Sequence, residues 1–224
     1  MASASDGNAA AQAVAARVLE LLRERYPDAR CALDHQDAWQ LLCATILSAQ
    51  CTDVRVNEVT PRLFARFADA AALAAADPAE VEAIVHPTGF FRQKTKSLIA
   101  MSRDVVDRFG GIVPNTMEEL LTLRGVARKT ANVILGAAFG RNDGVVVDTH
   151  VLRIARRLGW TEHTDPVKVE RDLMALFPRA QWTILGHTIV LHGRDLCEAR
   201  RPRCDECPVA HLCPAARRST PPPG

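Results

Sequence analysis

Four cysteines near the C-terminus constrain this chain more than any other feature of its sequence. Cys197, Cys204, Cys207 and Cys213 lie within 17 residues, with the spacing Cys-x6-Cys-x2-Cys-x5-Cys. Four thiolates in one short segment can converge on a common centre, and such soft ligands select zinc or an iron–sulfur cluster. The other three cysteines are dispersed, which indicates core or surface thiols in a reducing compartment rather than a disulfide framework.

The spacing favours a cubane iron–sulfur cluster over a single zinc ion. A structural zinc site is usually built from two Cys-x2-Cys pairs that are separated by a longer spacer. Here only one close pair is present, and the other two cysteines flank it. The alternative is that some of the four are free structural thiols. The basic segment 198–203 between the first two cysteines is a candidate phosphate contact, with the metal centre stabilising the fold rather than taking part in chemistry.

The remainder of the chain has the pattern of an all-helical protein. Its 224 residues are enough for one large domain or two small ones. Alanine is abundant, and only the run 145–147 (Val-Val-Val) looks like a strand, which favours an all-α fold. About ten helices are expected, in two packed groups. Residues 1–11 are expected to be frayed and the tail 219–224 disordered.

The distribution of charge indicates which part of the chain would meet phosphates. The formal net charge is only +2, which alone is no argument for nucleic acid. Residues 91–157, however, carry 12 basic and 6 acidic side chains, whereas residues 1–90 carry 7 and 12. A basic central segment in a nearly neutral protein is expected if one face binds phosphates, and a solvated arginine-rich helical face is the alternative. No secretory signal or membrane span is expected.

A helix-hairpin-helix is predicted at about residues 116–138. A Thr-x-x-Glu capping box begins a short first helix, and a tight turn then passes through Gly125. The second helix is expected to begin at about Arg128, so that Lys129 lies in its first turn. After a short polar loop the chain returns to Asp148. The hairpin is therefore a candidate DNA-binding element that brings an amine and a carboxylate to its two sides.

Together these motifs resemble endonuclease III, a family of base-excision-repair DNA glycosylases in the helix-hairpin-helix superfamily. The resemblance rests on the hairpin motif 123–133, Val-Asp-Thr-His at 147–150, the cysteine spacing, Leu-Ser-Ala-Gln-Cys-Thr-Asp at 47–53 and Leu-His-Gly-Arg at 191–194. It implies a six-helix barrel domain over residues 31–141. This domain would be inserted in an iron–sulfur cluster domain made of residues 1–30 and 142–224, with a DNA cleft between the two.

The resemblance also implies the activity. The enzyme would act as a monomer on double-stranded DNA that contains damaged bases or abasic sites, in the cytoplasm and at the nucleoid of a prokaryote. Lys129 would attack C1′ of an oxidised pyrimidine nucleotide to form a Schiff base, and β-elimination would cleave the strand. Asp148 would stabilise the cationic sugar, and the four cysteines would hold a 4Fe–4S cluster. From the residues alone, the alternatives are a solvated lysine and an ordinary N-cap for helix 149–158.

Further DNA contacts are expected because the target nucleotide must leave the base stack. Phe90 is the expected wedge and Gln50 the plug for the orphaned base; the alternatives are a core aromatic and a helix C-cap. Asp53 would line the lesion pocket or cap a helix, and His150 would contact phosphate, support the site or belong to the core. The other expected contacts lie in the hairpin: Arg124, Gly125, Val126, Ala127, Arg128 and Thr130.

Two hairpin residues depart from the family pattern. Arg124 stands where the family usually has Pro, and Ala127 stands where it has a second Gly. Because alanine tolerates a positive φ poorly, strain is expected at Ala127, with Arg124 adding a phosphate contact in compensation. Two other functions remain as alternatives. One is a monofunctional, adenine-type glycosylase, against which Lys129 argues, and the other is a non-catalytic iron–sulfur or zinc DNA-binding module.

Overall fold

The computed structural model describes the backbone of residues 4–219 and the side chains of residues 7–217. Within this part of the chain all regular structure is helical and no β-strand is present, which confirms the all-α prediction. The valine run 145–147 lies in an irregular segment instead of a strand. The predicted disorder of the tail concerns residues outside the described part of the chain, apart from Ser219.

Twelve α-helices are present between Ala4 and Ser219, against the ten or so that were expected. They are α1 (Ala4–Arg25), α2 (Ala38–Leu47), α3 (Asp53–Arg66), α4 (Ala70–Ala74), α5 (Pro78–Val85), α6 (Phe91–Phe109), α7 (Met117–Leu120), α8 (Arg128–Phe139), α9 (Thr149–Arg157), α10 (Pro166–Leu176), α11 (Trp182–Asp195) and α12 (Pro214–Ser219). Short 3-10 turns cover His86–Thr88, Arg179–Gln181, Cys204–Glu206 and Ala210–Leu212. The predictions missed α4 and α12, because helices of five and six residues are too short for periodicity to show.

One local expectation is wrong. α1 begins at Ala4, so residues 4–11 are helical rather than frayed, and residues 1–3 of that expectation lie outside the described part of the chain. Pro61 lies inside α3, which spans Asp53–Arg66.

The chain divides into two compact units. The hairpin unit comprises Cys31–Arg141, and the cysteine unit comprises the described residues up to Arg30 together with those from Asn142 onward. In the hairpin unit, α2 packs against α3, α6 and α8, and α6 also packs against α4 and α5. Leu41, Leu42 and Leu47 of α2 are fully buried. Each such leucine contributes roughly 1.5–3 kcal/mol of hydrophobic free energy.

The cysteine unit has a core of its own. α11 packs against α1 and α9, while α10 packs against α1 and α9. Fully buried aliphatic side chains fill the space between them, among them Leu22, Ile154, Leu173 and Ile189. This core supports α9, which carries Asp148 at its N-terminus, and α11, which leads directly into the cysteine segment.

Candidate active site and metal centre

The predicted helix-hairpin-helix motif is present in the hairpin unit. The Oγ1 of Thr116 accepts a hydrogen bond from the Glu119 N–H at 3.3 Å and donates to Glu119 Oε2 at 2.7 Å, which forms the predicted capping interaction of α7. The Val126 N–H donates to the Leu123 carbonyl at 3.2 Å and closes the turn. α8 then begins at Arg128, as predicted. The first helix ends at Leu120.

Gly125 is the residue that the hairpin turn requires. Its φ is +81°, and a Cβ at this position would lie 3.3 Å from the Cβ of Ser97 on α6. Both the conformation and the close approach therefore favour glycine. Ala127 has a φ of −97° and a ψ of 170°, so the predicted strain at Ala127 is wrong. Within the turn 124–127 a positive φ occurs only at Gly125, and the extended backbone at Ala127 is available to any residue.

Lys129 is exposed and is the second residue of α8. The sequence contains three other lysines. Lys96 and Lys168 are also exposed, whereas Lys94 is buried with 4% of its surface accessible. Lys129 is thus the lysine that directly follows the hairpin turn.

Four of the expected DNA contacts lie around one groove of the hairpin unit. This groove, of about 310 Å³, is lined by Gln50, Phe90, Gly125 and Thr130, together with Lys94 and Ser97 of α6. Gln50 follows the C-terminal end of α2, and Phe90 directly precedes the N-terminal end of α6, 40 residues later in the sequence. The fold therefore brings the plug and wedge candidates to the hairpin.

Gln50 and Phe90 share an uncommon backbone conformation. Their φ values are +53° and +45°, and within the described residues no other non-glycine residue has a positive φ. Such positions cost on the order of 1–3 kcal/mol and cluster at functional sites. Phe90 is 67% exposed, which contradicts its interpretation as a core aromatic. Gln50 is exposed and lies two residues beyond Ser48, the C-cap of α2, so the capping interpretation is wrong too.

The remaining hairpin residues differ in exposure. Arg124 and Ala127 are exposed and Arg128 is half-buried. Val126 is buried with 8% of its surface accessible, so any DNA contact that it makes is limited to its backbone.

Lys94 is a groove residue that sequence reasoning missed. Its Nζ donates a hydrogen bond to the Thr88 carbonyl at 2.7 Å, and burial lowers the pKa of Lys94 below its ordinary value. A signal was available in the sequence. Lys94 occupies the same helical stripe as Phe91, Leu98 and Met101, where a lysine is unexpected because the stripe faces the core.

Asp53 is half-buried in the first turn of α3. Its suggested capping role belongs to Thr52, whose Oγ1 accepts from the Arg55 N–H at 3.3 Å. Asp53 is not among the residues that line the groove.

Asp148 combines an observed structural role with a half-buried carboxylate. Its Oδ1 accepts a hydrogen bond from the Val151 N–H at 2.8 Å, which makes it the N-cap of α9. His150, the second residue of α9, is half-buried, with its Nδ1 3.2 Å from Nη2 of Arg153. A Cβ on Gly193 of α11 would lie 2.7 Å from the same Nδ1, so His150 is packed tightly against α11.

The four clustered cysteines surround one cavity in the cysteine unit. Cys197, Cys204, Cys207 and Cys213 all line this cavity of about 150 Å³, and none forms a disulfide. Burial raises the pKa of Cys204, and the neighbouring Cys197 and Cys213 raise it further. Four thiolates so close repel one another unless a cation lies between them. Within residues 7–217 no three His, Cys, Asp or Glu side chains are arranged around a single metal ion. Soft ligands around a space of this size fit a cubane cluster.

Arg157 holds the cysteine segment against α9. Its Nη1 donates to Cys197 Sγ at 3.1 Å and to the Glu198 carbonyl at 2.7 Å, while Nη2 donates to the Ala199 carbonyl at 2.8 Å. On the other side, Nε2 of the buried His192 lies 3.8 Å from Cys207 Sγ. Of the basic segment 198–203, Arg203 is already bound to Asp195 and Glu206, so only the exposed Arg200 and Arg201 remain candidates for phosphate.

The fold, the hairpin and the cysteine site together define a helix-hairpin-helix DNA-repair protein with an iron–sulfur domain. Residues 43–179 match the HhH-GPD superfamily of base excision DNA repair proteins, and residues 195–213 match the iron–sulfur binding domain of endonuclease III. The chain is 56% identical to endonuclease III of Synechocystis sp. over 92% of this chain and 94% of that one. It is 39% identical to endonuclease III of Bacillus subtilis, over 87% and 89% of the two chains.

Solved structures agree with these matches. A trapped endonuclease III–DNA covalent intermediate has a TM-score of 0.87 to this chain at 37% identity, and the match covers 92% of this chain and 97% of that one. A thermostable thymine-DNA glycosylase, with a TM-score of 0.81 at 20% identity, shares the fold.

This chain belongs to the endonuclease III family. It is a base excision repair DNA glycosylase and AP lyase that binds DNA, and its cofactor is a 4Fe–4S cluster. The predicted family, activity class and cofactor are therefore confirmed. Among the described residues, no helix is both long enough and apolar enough to cross a membrane.

Replacing a clustered cysteine is expected to remove the metal. Anaerobically purified protein should be yellow-brown with about four irons per chain, and Cys207→Ser should lose both the colour and most of the iron. Iron analysis and the visible absorption spectrum measure this. Cys51→Ser is the matched control, since Cys51 lies in the hairpin unit, and it should keep its iron. A colourless unmodified protein that contains stoichiometric zinc would contradict the cluster.

Proposed function

We propose that this enzyme removes oxidised pyrimidines from double-stranded DNA and cleaves the resulting abasic site by β-elimination. The observation that carries the proposal is the position of Lys129. It is exposed in the first turn of α8, directly after the hairpin turn and next to Thr130, which lines the groove. A relative with 37% identity has been trapped as a covalent intermediate with DNA, and an amine nucleophile accounts for such an intermediate.

In the proposed reaction, Nζ of Lys129 forms a bond to C1′ of the sugar while the bond from C1′ to the base breaks. The sugar ring then opens, which gives a Schiff base between the lysine and C1′. Loss of a proton from C2′ expels the 3′ phosphate and cleaves the strand. The lysine is released when water hydrolyses the Schiff base. A reaction of this kind favours a bifunctional enzyme over the monofunctional, adenine-type alternative, which does not need a lysine nucleophile.

Asp148 is proposed to stabilise positive charge on the sugar as the base leaves. Its hydrogen bond from Val151 occupies one carboxylate oxygen and fixes the orientation of the group. A half-buried carboxylate acts more strongly on a nearby cation than a fully solvated one, because the local dielectric constant is lower. The N-cap and the electrostatic role are therefore compatible in one side chain.

The proposed DNA contacts follow from the groove and the hairpin. Phe90 would enter the base stack and Gln50 would face the orphaned base, since both lie at the groove beside Gly125. The phosphates would be contacted by backbone N–H groups of the hairpin and by the side chains of Arg124, Arg128 and Thr130. His150 would contact a phosphate or support the site. Asp53 remains a proposed lesion-pocket residue.

The cysteine unit is proposed as the cluster domain and the hairpin unit as the barrel domain with the hairpin. Cys197, Cys204, Cys207 and Cys213 would be the ligands, because all four thiols line one cavity. The cluster would supply folding energy and fix the segment 198–203.

The enzyme is further proposed to act as a monomer at the nucleoid, in the cytoplasm of a prokaryote. None of the seven cysteines forms a disulfide, which supports a reducing compartment. A sedimentation mass clearly above 24.5 kDa would contradict the monomer.

Lys129→Gln is expected to abolish covalent trapping. Borohydride reduces a Schiff base to a stable amine, so the unmodified protein should form a cross-linked band with abasic-site DNA on a denaturing gel. The sequence has three other lysines, Lys94, Lys96 and Lys168, and the two exposed ones provide the controls. Glutamine variants of the exposed Lys96 and Lys168 should trap as well as the unmodified protein. Undiminished trapping by Lys129→Gln would show that another amine is the nucleophile.

Two variants of Asp148 separate its structural and chemical roles. Asn is as good an N-cap as Asp, so the free energy of unfolding of Asp148→Asn should lie within about 0.5 kcal/mol of that of the unmodified protein. It should nevertheless remove thymine glycol from a duplex at least about 100-fold more slowly in single turnovers, because the negative charge is lost. Asp148→Ala should show a similar reduction in the rate of base removal, and its free energy of unfolding should also fall by about 1 kcal/mol. Base removal at the normal rate by Asp148→Asn would show that Asp148 is only a cap.

A further inference from the structure

The first half of the hairpin lies on one face of α6. Three residues of that helix contact it: Ser97 packs on Gly125, the Asp104 carboxylate accepts from the Arg124 N–H, and the Arg108 guanidinium donates to Thr122. Positions 97, 104 and 108 are seven and four residues apart, which places them on the same side of a helix. α6 is therefore the support against which residues 122–125 are held.

The contact between Asp104 and Arg124 joins α6 to the backbone directly before Gly125. The Arg124 N–H donates to Asp104 Oδ2 at 3.0 Å. Arginine fixes neither the backbone angle nor the direction of its N–H, and that N–H needs a partner. The carboxylate of Asp104 supplies a partner and a restraint at the same place.

Arg108 provides a second anchor one helical turn further along α6. Its Nη2 donates to Thr122 Oγ1 at 2.8 Å and its Nη1 donates to the Thr122 carbonyl at 3.3 Å. The same hydroxyl donates to the Glu119 carbonyl at 2.6 Å, so Thr122 is tied to α7 as well. Hydrogen bonds thus restrain the chain on the N-terminal side of Gly125 at two successive places, Thr122 and Arg124.

We propose that Asp104 is a positioning residue that, through the Arg124 N–H, holds the hairpin turn in its DNA-binding geometry. The exposed side chain of Arg124 is then available to a phosphate, an interaction that a proline does not offer. The inference rests on the proposed role of the hairpin in DNA binding. It predicts that an acidic residue on a basic segment strengthens DNA binding.

The sign of the effect makes this proposal testable. A carboxylate repels the phosphate backbone, so removal of an ordinary acidic side chain should leave DNA binding unchanged or tighten it. Removal of a positioning carboxylate should weaken binding instead. Asp107 is the matched control, because it is exposed and lies three residues further along α6.

The test measures the Kd for a duplex with an uncleavable abasic-site analogue, and the single-turnover rate at saturating enzyme. Asp104→Ala should raise Kd about five- to tenfold, as expected for a charge-assisted hydrogen bond, with little change in the saturated rate. Asp104→Asn retains an acceptor oxygen and should bind nearly as tightly as the unmodified protein. Asp107→Ala should bind as tightly or more tightly.

A double-mutant cycle with Arg124→Pro completes the test. Proline has no N–H for Asp104 to accept, so Asp104→Ala should not raise Kd in that background. Equal weakening in both backgrounds would overturn the proposal, as would an Asp104→Ala variant that binds like Asp107→Ala. Melting temperatures verify that the compared variants are folded.

Amide exchange provides a readout that does not depend on DNA. The Arg124 amide should exchange faster in Asp104→Ala than in Asp107→Ala, and equal rates would overturn the proposal even if Arg124→Pro does not fold. Failure of the proposed function would look different. In that case borohydride trapping would be absent from the unmodified protein, whereas the Arg124 amide would still exchange faster in Asp104→Ala than in Asp107→Ala.

Discussion

The close approach of Gly125 to Ser97 is the constraint on which the groove of the hairpin unit depends. The turn has a φ of +81° at Gly125, and a Cβ there would lie 3.3 Å from the Ser97 side chain, closer than most real Cβ contacts. Because of this contact, the hairpin turn packs directly against α6. The same helix begins directly after Phe90, so a single rigid element sets the positions of both the hairpin turn and the wedge candidate.

The N-terminal end of α6 is held by a buried lysine. Burying an amine is costly unless it is hydrogen-bonded, and the bond from Lys94 to the Thr88 carbonyl meets that requirement. The bond fixes the carbonyl two residues before Phe90, where the backbone enters the left-handed region. Phe91, in contrast, packs with its ring centroid 4.5 Å from that of His86. One aromatic thus anchors the turn while its neighbour remains exposed, and the two have different functions despite their adjacency.

Much of this architecture follows from the sequence, because it depends on local patterns. Apolar periodicity and caps locate the long helices, the capping box at Thr116 locates the hairpin, and the cysteine spacing identifies the cluster. The unpredicted features depend on tertiary contacts. Nothing adjacent to Asp104 in the sequence indicates that it meets Arg124, 20 residues away. The expected strain was placed at Ala127, whereas the positive φ values occur at Gln50 and Phe90. A turn pattern specifies which residue types suit a turn, but it does not show which positions of the fold take a positive φ.

The strain at Gln50 and Phe90 has a consequence for DNA binding in their proposed roles. Two non-glycine residues with positive φ together cost on the order of 2–6 kcal/mol, which the packing of the free protein already sustains. Binding therefore does not have to supply that free energy, and the side chains need not reorganise to reach the groove. Extruding a nucleotide costs a few kcal/mol, and stacking an aromatic ring on a base returns roughly 1–3 kcal/mol. With Phe90 already exposed and its backbone already in the left-handed region, this return would be available to offset the extrusion without a further backbone change. A phenylalanine that had to adopt this conformation on binding would offset less of the extrusion, because part of the return would be needed for the strained backbone.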